Sequence, residues 1–106
     1  MTTQTPPAPT LADQVAEAVA RCPSVARLSG GIEDGIATYL PGRRVTGVAI
    51  RDDPHPEVRV HVVGRYGPTM RQITDEVTAA VRSVLPDHRI QISIDDLDVD
   101  SAAPGS

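Results

Sequence analysis

The strongest structural pattern in the chain begins at Glu57–Tyr66, EVRVHVVGRY, which leads through a Gly-Pro pair into Thr69–Pro86, TMRQITDEVTAAVRSVLP. Valines occupy every second position of the first segment, which is typical of a half-buried strand. The second segment begins with a Thr followed three residues later by a Gln, the spacing of a capping box. From Ile73 onward, apolar residues recur at i, i+4, i+7, i+8 and i+11, and Pro86 ends the pattern. A strand is therefore predicted to run directly into an amphipathic helix.

Strands are predicted on both sides of this unit. Upstream, Arg44–Arg51 (RVTGVAIR) is rich in β-formers, and the turn residues Asp52–Pro56 connect it to the valine strand. This pair is interpreted as a hairpin with a five-residue connection. Downstream, Arg89–Asp95 alternates strictly, with three isoleucines on one face.

The segment before these elements predicts one more helix and two short strands. Thr10 is a suitable N-cap, apolar residues from Leu11 to Cys22 form one helical stripe, and Pro23 ends the helix. Short strands are predicted at Val25–Ser29 and Ile36–Leu40. The resulting element order is α-β-β-β-β-α-β.

Two helices with a single apolar stripe each, together with alternating strands, predict an α+β fold. We expect a two-layer sandwich with a mostly antiparallel sheet and both helices on one face. Residues 1–9 are interpreted as a flexible N-terminal lead, residues 10–100 as a single domain and residues 101–106 as a flexible tail. We found no internal repeat.

The amino-acid composition disfavours several classes of function. Tyr39 and Tyr66 are the only aromatic residues among 106, so stacking platforms for bases or sugars are disfavoured. All ten basic residues are Arg, yet the net charge is −4, which argues mildly against general attraction to nucleic acid or anionic lipid. Cys22 is the only cysteine, and neither a secretory signal nor an apolar run of membrane-spanning length is visible. A cytoplasmic location is expected, with any membrane recruitment occurring through a partner.

Alternation predicts which side chains point away from the helices. Packing the strand valines and isoleucines inward leaves a sheet face that is partly cationic and partly apolar, with the following outward residues: Val45, Gly47, Ala49, Arg51, Arg59, His61, Val63 and Arg89. Arg is enriched at protein interfaces, so this face is a candidate docking surface. We take Arg51, Arg59, His61, Val63 and Arg89 as its contact residues; an ordinary solvated sheet face is the competing interpretation.

No arrangement typical of catalysis or metal binding is visible. Cys22 lies on a buried helix stripe, and the three histidines share no metal-ligand spacing, so they are interpreted as solvated surface residues. The acidic run after Ile94 lacks the glycine and the final glutamate of a calcium loop. We therefore expect no catalytic residue, no metal and no cofactor.

One motif suggests a phosphate site. Gly64-Arg65-Tyr66-Gly67 is a GxxG sequence before a helix N-terminus, an arrangement that could hold a phosphate group. Pro68 removes one donor, and a strand-to-helix turn is the simpler interpretation.

Several parts of the chain match a bacterial family in order. The first helix ends in Pro23-Ser24-Val25, a Pro-Gly-Arg-Arg-Val segment begins at Pro41 and leads into a hairpin, and Tyr66-Gly67 opens a helix with spaced valines. A strand of alternating aliphatic residues, Ile90 to Val99, closes in an Asp-rich stretch. In these features the chain resembles the alkaline shock protein, or envelope stress response, family of small cytosolic proteins. Ser24 departs from that family's glycine.

The resemblance implies a non-enzymatic interaction or scaffold protein. Its implied partners are proteins, including other copies of itself and a small membrane-anchored protein, and no small-molecule substrate is expected. Tyr66 and Gly67 would shape the corner between strand and helix. The alternative hypothesis is a small nucleic-acid-binding domain that uses the GRYG loop and the arginines of the sheet face.

Overall fold

A computed structural model describes residues 10–30 and 35–99. The predicted N-terminal lead (1–9) and tail (101–106) lie outside the described residues.

Both predicted helices are present, and each begins with a capping box. Helix α1 spans Leu11–Ala20 and helix α2 spans Met70–Val84. The Thr69 hydroxyl accepts from the backbone N–H of Gln72, and the Gln72 side chain accepts from the backbone N–H of Thr69. Thr10 and Asp13 make the same reciprocal pair at α1. Helix α2 thus begins where its sequence spacing predicts.

The described residues form six strands, five of them between the helices. They are β1 (Val25–Leu28), β2 (Ala37–Leu40), β3 (Arg43–Thr46), β4 (Val48–Arg51), β5 (Glu57–Arg65) and β6 (Arg89–Asp98). The single strand predicted over Arg44–Arg51 is divided into β3 and β4. Strand β3 forms a separate antiparallel ladder with β2, whereas β4 forms the predicted hairpin with β5.

Gly47 is the residue that divides this strand. Its φ is +84°, and a Cβ there would lie 2.9 Å from Leu28 Cβ and 2.9 Å from the backbone oxygen of Ser29. The positive φ interrupts the strand alternation, so β3 does not continue the facing of β4. Val45 was predicted on the outward face, and that prediction is wrong: Val45 is 8% exposed and belongs to the core.

Strand β5 is the centre of the main sheet. Strand β6 pairs with it in parallel from Glu57↔Arg89 to Arg65↔Asp98. Because β6 occupies one edge of β5 over this whole length, β4 and β1 share the other edge, antiparallel to it. The switch from β4 to β1 occurs at His61, whose N–H donates to the Gly47 oxygen and whose oxygen accepts from the N–H of Ser29.

One continuous core joins the helices to the sheet. Val58, Val60 and Val62 of β5 are fully buried in the same cluster as Val15 and Val19 of α1 and Ile73, Val77 and Val81 of α2. The predicted α+β fold, a sheet with two helices, is confirmed. The alternate valines of β5 face the helices as the sequence pattern indicates.

Gly64 allows α2 to approach the sheet closely. A Cβ on this residue would lie 2.7 Å from Ile73 Cδ1 and 3.2 Å from Leu97 Cδ2. Helix packing therefore explains the first glycine of the GxxG motif, since a Cβ there would require the ends of the Ile73 and Leu97 side chains to move within the core.

Candidate binding surface on the uncovered sheet face

The candidate site is the face of the four-stranded sheet opposite the helices, which we name the uncovered face. Since Val58, Val60 and Val62 point to the core, Glu57, Arg59, His61 and Val63 of β5 point to the uncovered face. Cross-strand register then places neighbouring side chains in rows. The first row is Arg51–Glu57–Arg89, and the second is Ala49–Arg59–Gln91.

Three exposed arginines occupy the first two rows, and we name Arg51, Arg59 and Arg89 the arginine cluster. Arg59 Nε donates to Glu57 Oε1 at 3.0 Å. Arg51 and Arg89 flank Glu57 on either side but form no ion pair with any residue that the structure describes. Two guanidinium groups that form no ion pair with a described residue therefore face outward at this end of the sheet, on a chain whose net charge is −4.

A cleft opens beside these two guanidinium groups. It has a volume of about 520 Å³, and it is lined by Arg51, Pro54, His55, Pro56, Glu57, Asp87 and Arg89. Its walls are the connection between β4 and β5 and the turn that leads into β6. Paired guanidinium groups at an open cleft suit a carboxylate or another planar anion, because each offers a fork of N–H donors.

His61 lies in the next row but is not the freely solvated side chain that was predicted. Its Nδ1 lies 3.1 Å from both carboxylate oxygens of Asp95, which also accept from the hydroxyls of Ser29 and Ser93 at 2.8 Å each. Burial acts to raise the pKa of Asp95, but the hydrogen bonds from Ser93, Ser29 and His61 outweigh it and hold that pKa below its usual range. The four side chains join β5 and β6 to the segment after β1.

This four-residue cluster was missed because its members are distant in sequence. The hydroxyls of Ser29 and Ser93 donate to the carboxylate of Asp95 and hold it in place beside Nδ1 of His61. This geometry supports orientation of the imidazole ring through Nδ1. A signal was present in the alternation of β6, which placed Asp95 and Ser93 on the same outward side, but the partner strand was unknown. The side chain of His61 is only 21% exposed.

Val63 does not present an apolar patch, and its predicted role as an exposed contact residue is wrong. It is 5% exposed and lies outside the helix-side core. Arg27 is its cross-strand neighbour on β1, and Arg27 Nη1 donates to Asp98 Oδ2 of β6 at 3.1 Å. Because β1 and β6 flank β5 on opposite sides, this ion pair crosses β5 at the end where Val63 lies. With Val45 in the core as well, the uncovered face is polar and rich in arginine.

The other residues singled out from the sequence lie at separate places in the fold. Tyr66 is 62% exposed between β5 and α2, and Gly67 adopts φ +130° with open space where a Cβ would lie. His55 is exposed as predicted, whereas the side chain of His88 is only 15% exposed, with Nε2 3.4 Å from Asp52 Oδ1. Burial, followed by the charge of Glu76, raises the pKa of the Cys22 thiol.

Within residues 10–30 and 35–99, no three His, Cys, Asp or Glu side chains are close enough to hold a metal ion. No helix in that part of the chain is long and apolar enough to cross a membrane. No family model, no curated protein and no solved structure matches the chain, so the resemblance to the alkaline shock protein family stays a prediction.

Proposed function

We propose that this protein is a non-enzymatic binding protein that docks an acidic segment of a partner protein on its arginine cluster. The observation that carries the proposal is the pair Arg51 and Arg89, two exposed guanidinium groups that line one cleft and have no ion-pair partner among the described residues. Guanidinium groups without partners at an open cleft can bind a ligand without first breaking an ion pair, and their charge favours encounter with an acidic segment.

The family resemblance suggests the kind of partner. A scaffold of the envelope stress response type would dock on a small membrane-anchored protein and would itself remain cytoplasmic. An acidic cytoplasmic segment of such a partner would complement the arginine cluster. The membrane-anchored partner is inferred from the resemblance alone, whereas an acidic segment is favoured by the guanidinium groups of Arg51 and Arg89 themselves.

The test is affinity capture with charge-reversed bait. The full chain, the double variant Arg51→Glu/Arg59→Glu and a matched control, Arg44→Glu/Arg82→Glu, are each used to capture proteins from membrane and cytosolic fractions of the native cell. Arg89 is left unchanged because it also begins the edge strand β6. The control changes two exposed arginines that lie on β3 and α2, away from the cleft. Affinity for the partner identified by mass spectrometry is then measured with purified components.

We expect the double variant to bind that partner at least tenfold more weakly, because a charge-assisted hydrogen bond contributes about 1.5–3 kcal/mol and tenfold in affinity corresponds to about 1.4 kcal/mol. The control should bind like the wild type. Equal binding by all three proteins would show that the arginine cluster does not bind this partner.

The nucleic-acid alternative is separated by the same baits. If capture depends on RNA and disappears after nuclease treatment, the protein belongs to that class instead. Binding to single-stranded RNA would then weaken steeply with salt, since phosphate contacts release counterions.

A further inference from the structure

Strand β6 leaves one long edge without a partner among the described strands. It spans ten residues, Arg89–Asp98, and pairs only with β5 in the part of the chain that the structure describes. Charged side chains and register shifts commonly prevent further pairing of edge strands, but in β6 they lie at the two ends and leave Ile90–Ile94 without them.

Two hydrogen bonds reveal which backbone groups face this edge. The N–H of Arg89 donates to the Pro56 oxygen at 3.0 Å, and the oxygen of Asp98 accepts from the N–H of Tyr66 at 3.3 Å. Both ends of β6 therefore direct their own groups toward β5. Because a strand residue points its N–H and C=O to the same side and its neighbours point to the other, Ile90, Ile92 and Ile94 direct theirs to the free edge. The β5–β6 register shifts after Ile94, and Leu97 continues the series.

The side chains of the same residues are incompletely covered. Ile90, Ile92, Ile94 and Leu97 are packed against the core but only partly buried. Their cross-strand neighbours Val58, Val60 and Val62 are 0% exposed. The apolar layer beneath the helices thus continues to the edge of β6 without being closed there.

The basic and acidic residues of β6 lie at opposite ends of the strand. Arg89 begins the strand, and Asp95, Asp96 and Asp98 lie at its end. Antiparallel pairing with an identical strand brings each basic end to an acidic end, whereas parallel pairing would place like charges together.

We propose that two copies of this chain associate by antiparallel pairing of their β6 strands around a two-fold axis at Ser93. In this register Ile92 lies opposite Ile94 of the second copy, Ile90 opposite Leu97, and Arg89 opposite Asp98. The extra residue at Asp95–Asp96 allows these pairs to form on matching faces. Such a pairing closes the apolar layer from both sides, and it is isologous as two-fold symmetry requires.

This interface shares Arg89 with the arginine-cluster cleft but otherwise uses the strand edge, and it does not rest on the proposed function. Reversing one charge turns both symmetric Arg89–Asp98 contacts into repulsions. In a homodimer, Arg89→Asp places a new carboxylate against that of Asp98, and Asp98→Arg places two guanidinium groups together. A mixture of the two variants restores opposite charges at both contacts, since each variant supplies two like charges that meet two opposite charges on the other, so the mixture should form a heterodimer.

The experiment measures the mass of the full-length wild type, Arg89→Asp and Asp98→Arg by sedimentation over a range of concentrations. We expect the wild type to dimerise and each variant alone to require a roughly tenfold or higher concentration to do so. The double variant Arg89→Asp/Asp98→Arg restores opposite charges at both contacts and should dimerise again. Arg44→Asp, the same charge change on an exposed β3 residue, should dimerise like the wild type.

A wild type that stays monomeric, a dimer unaffected by Arg89→Asp, or a folded double variant that does not associate would each overturn the proposal. Asp98 also pairs with Arg27, so circular dichroism must show that the variants at Asp98 are folded. If those variants are unfolded, hydrogen exchange of the wild-type amides tests the dimer instead. The amides of Ile90, Ile92 and Ile94 should become protected as concentration rises, and exchange independent of concentration would contradict the dimer.

Discussion

At the scale of single residues, two glycines and one carboxylate have consequences that reach across the fold. Gly47 divides a strand, Gly64 admits α2 to the sheet, and Asp95 collects three hydrogen-bond donors from three segments. Each acts through a partner distant in sequence. Their importance follows from the atoms that surround them and cannot be judged from residue type alone.

Gly47 and Gly42 offer a matched pair of substitutions. Both have positive φ, +84° and +76°, but only Gly47 has atoms within 4 Å of the position that a Cβ would occupy. Gly42→Ala should cost about 1–2 kcal/mol of unfolding free energy through left-handed strain alone. Gly47→Ala should cost at least about 1 kcal/mol more, because the new Cβ would meet backbone and Leu28.

Urea unfolding of both variants measures this difference. An equal loss at the two glycines would show that the contacts around Gly47 relax without cost.

At the scale of elements, an ion pair ties helix α1 to the β2–β3 hairpin. Arg43 donates from Nη1 and Nη2 to the two carboxylate oxygens of Asp13, at 2.7 Å each. Asp13 is also the second member of the capping box with Thr10. One carboxylate therefore completes a helix cap and holds a separate two-stranded sheet in place.

This arrangement predicts a loss of stability in acid. The hydrogen bonds from Arg43, and then those from Thr10, hold the pKa of Asp13 far below its ordinary value of 3.8. Because the folded-state pKa is depressed, the stabilisation is complete above a pH of about 5 and is lost as pH falls toward the folded-state pKa.

Chemical denaturation of the wild type and Asp13→Asn measures the effect. The wild type should be more stable at neutral pH, and the difference should narrow once the pH falls below the ordinary pKa of an aspartate. The complementary variant Arg43→Gln should show the same narrowing. A difference that is constant with pH would indicate that the ion pair does not contribute to stability.

At the scale of the whole molecule, β5 organises the structure. It has strands on both edges and fully buried valines against both helices. The β2–β3 hairpin is a separate sheet. It is linked to the rest by Val45 in the core, by the Arg43–Asp13 ion pair and by the Thr38 hydroxyl, which donates to the Val48 oxygen at 2.6 Å.

Hydrogen exchange should reflect this division. Interior amides of β5 should exchange only through global unfolding, whereas those of β2 and β3 should exchange faster through local opening. Residue-resolved exchange measured by NMR, with increasing urea, separates the two routes. Equal protection of the hairpin and β5 would show that the whole chain opens as one cooperative unit.

Local sequence patterns alone were sufficient to predict both helices, the capping box of α2 and the hairpin before Glu57. They also predicted that Val58, Val60 and Val62 face the core. These features depend on neighbours a few residues apart, so local spacing contains the required information. The outward facing of Arg51, Arg59 and Arg89 followed from the same alternation.

Other features depended on contacts between segments that are far apart in the chain. Val45 lies in the core because Gly47 interrupts its strand. Val63 is buried at the end of β5 where Arg27 of β1 pairs with Asp98 of β6, and His61 lies beside the carboxylate of Asp95. Strand β6 lies parallel to β5 because α2 crosses over between them, and this crossover places β6 at one edge of the four-stranded sheet among the described strands. Local periodicity determines which way a side chain points within its own strand, but only the packed chain determines what lies beyond it, because strand neighbours are chosen by the global burial of apolar surface.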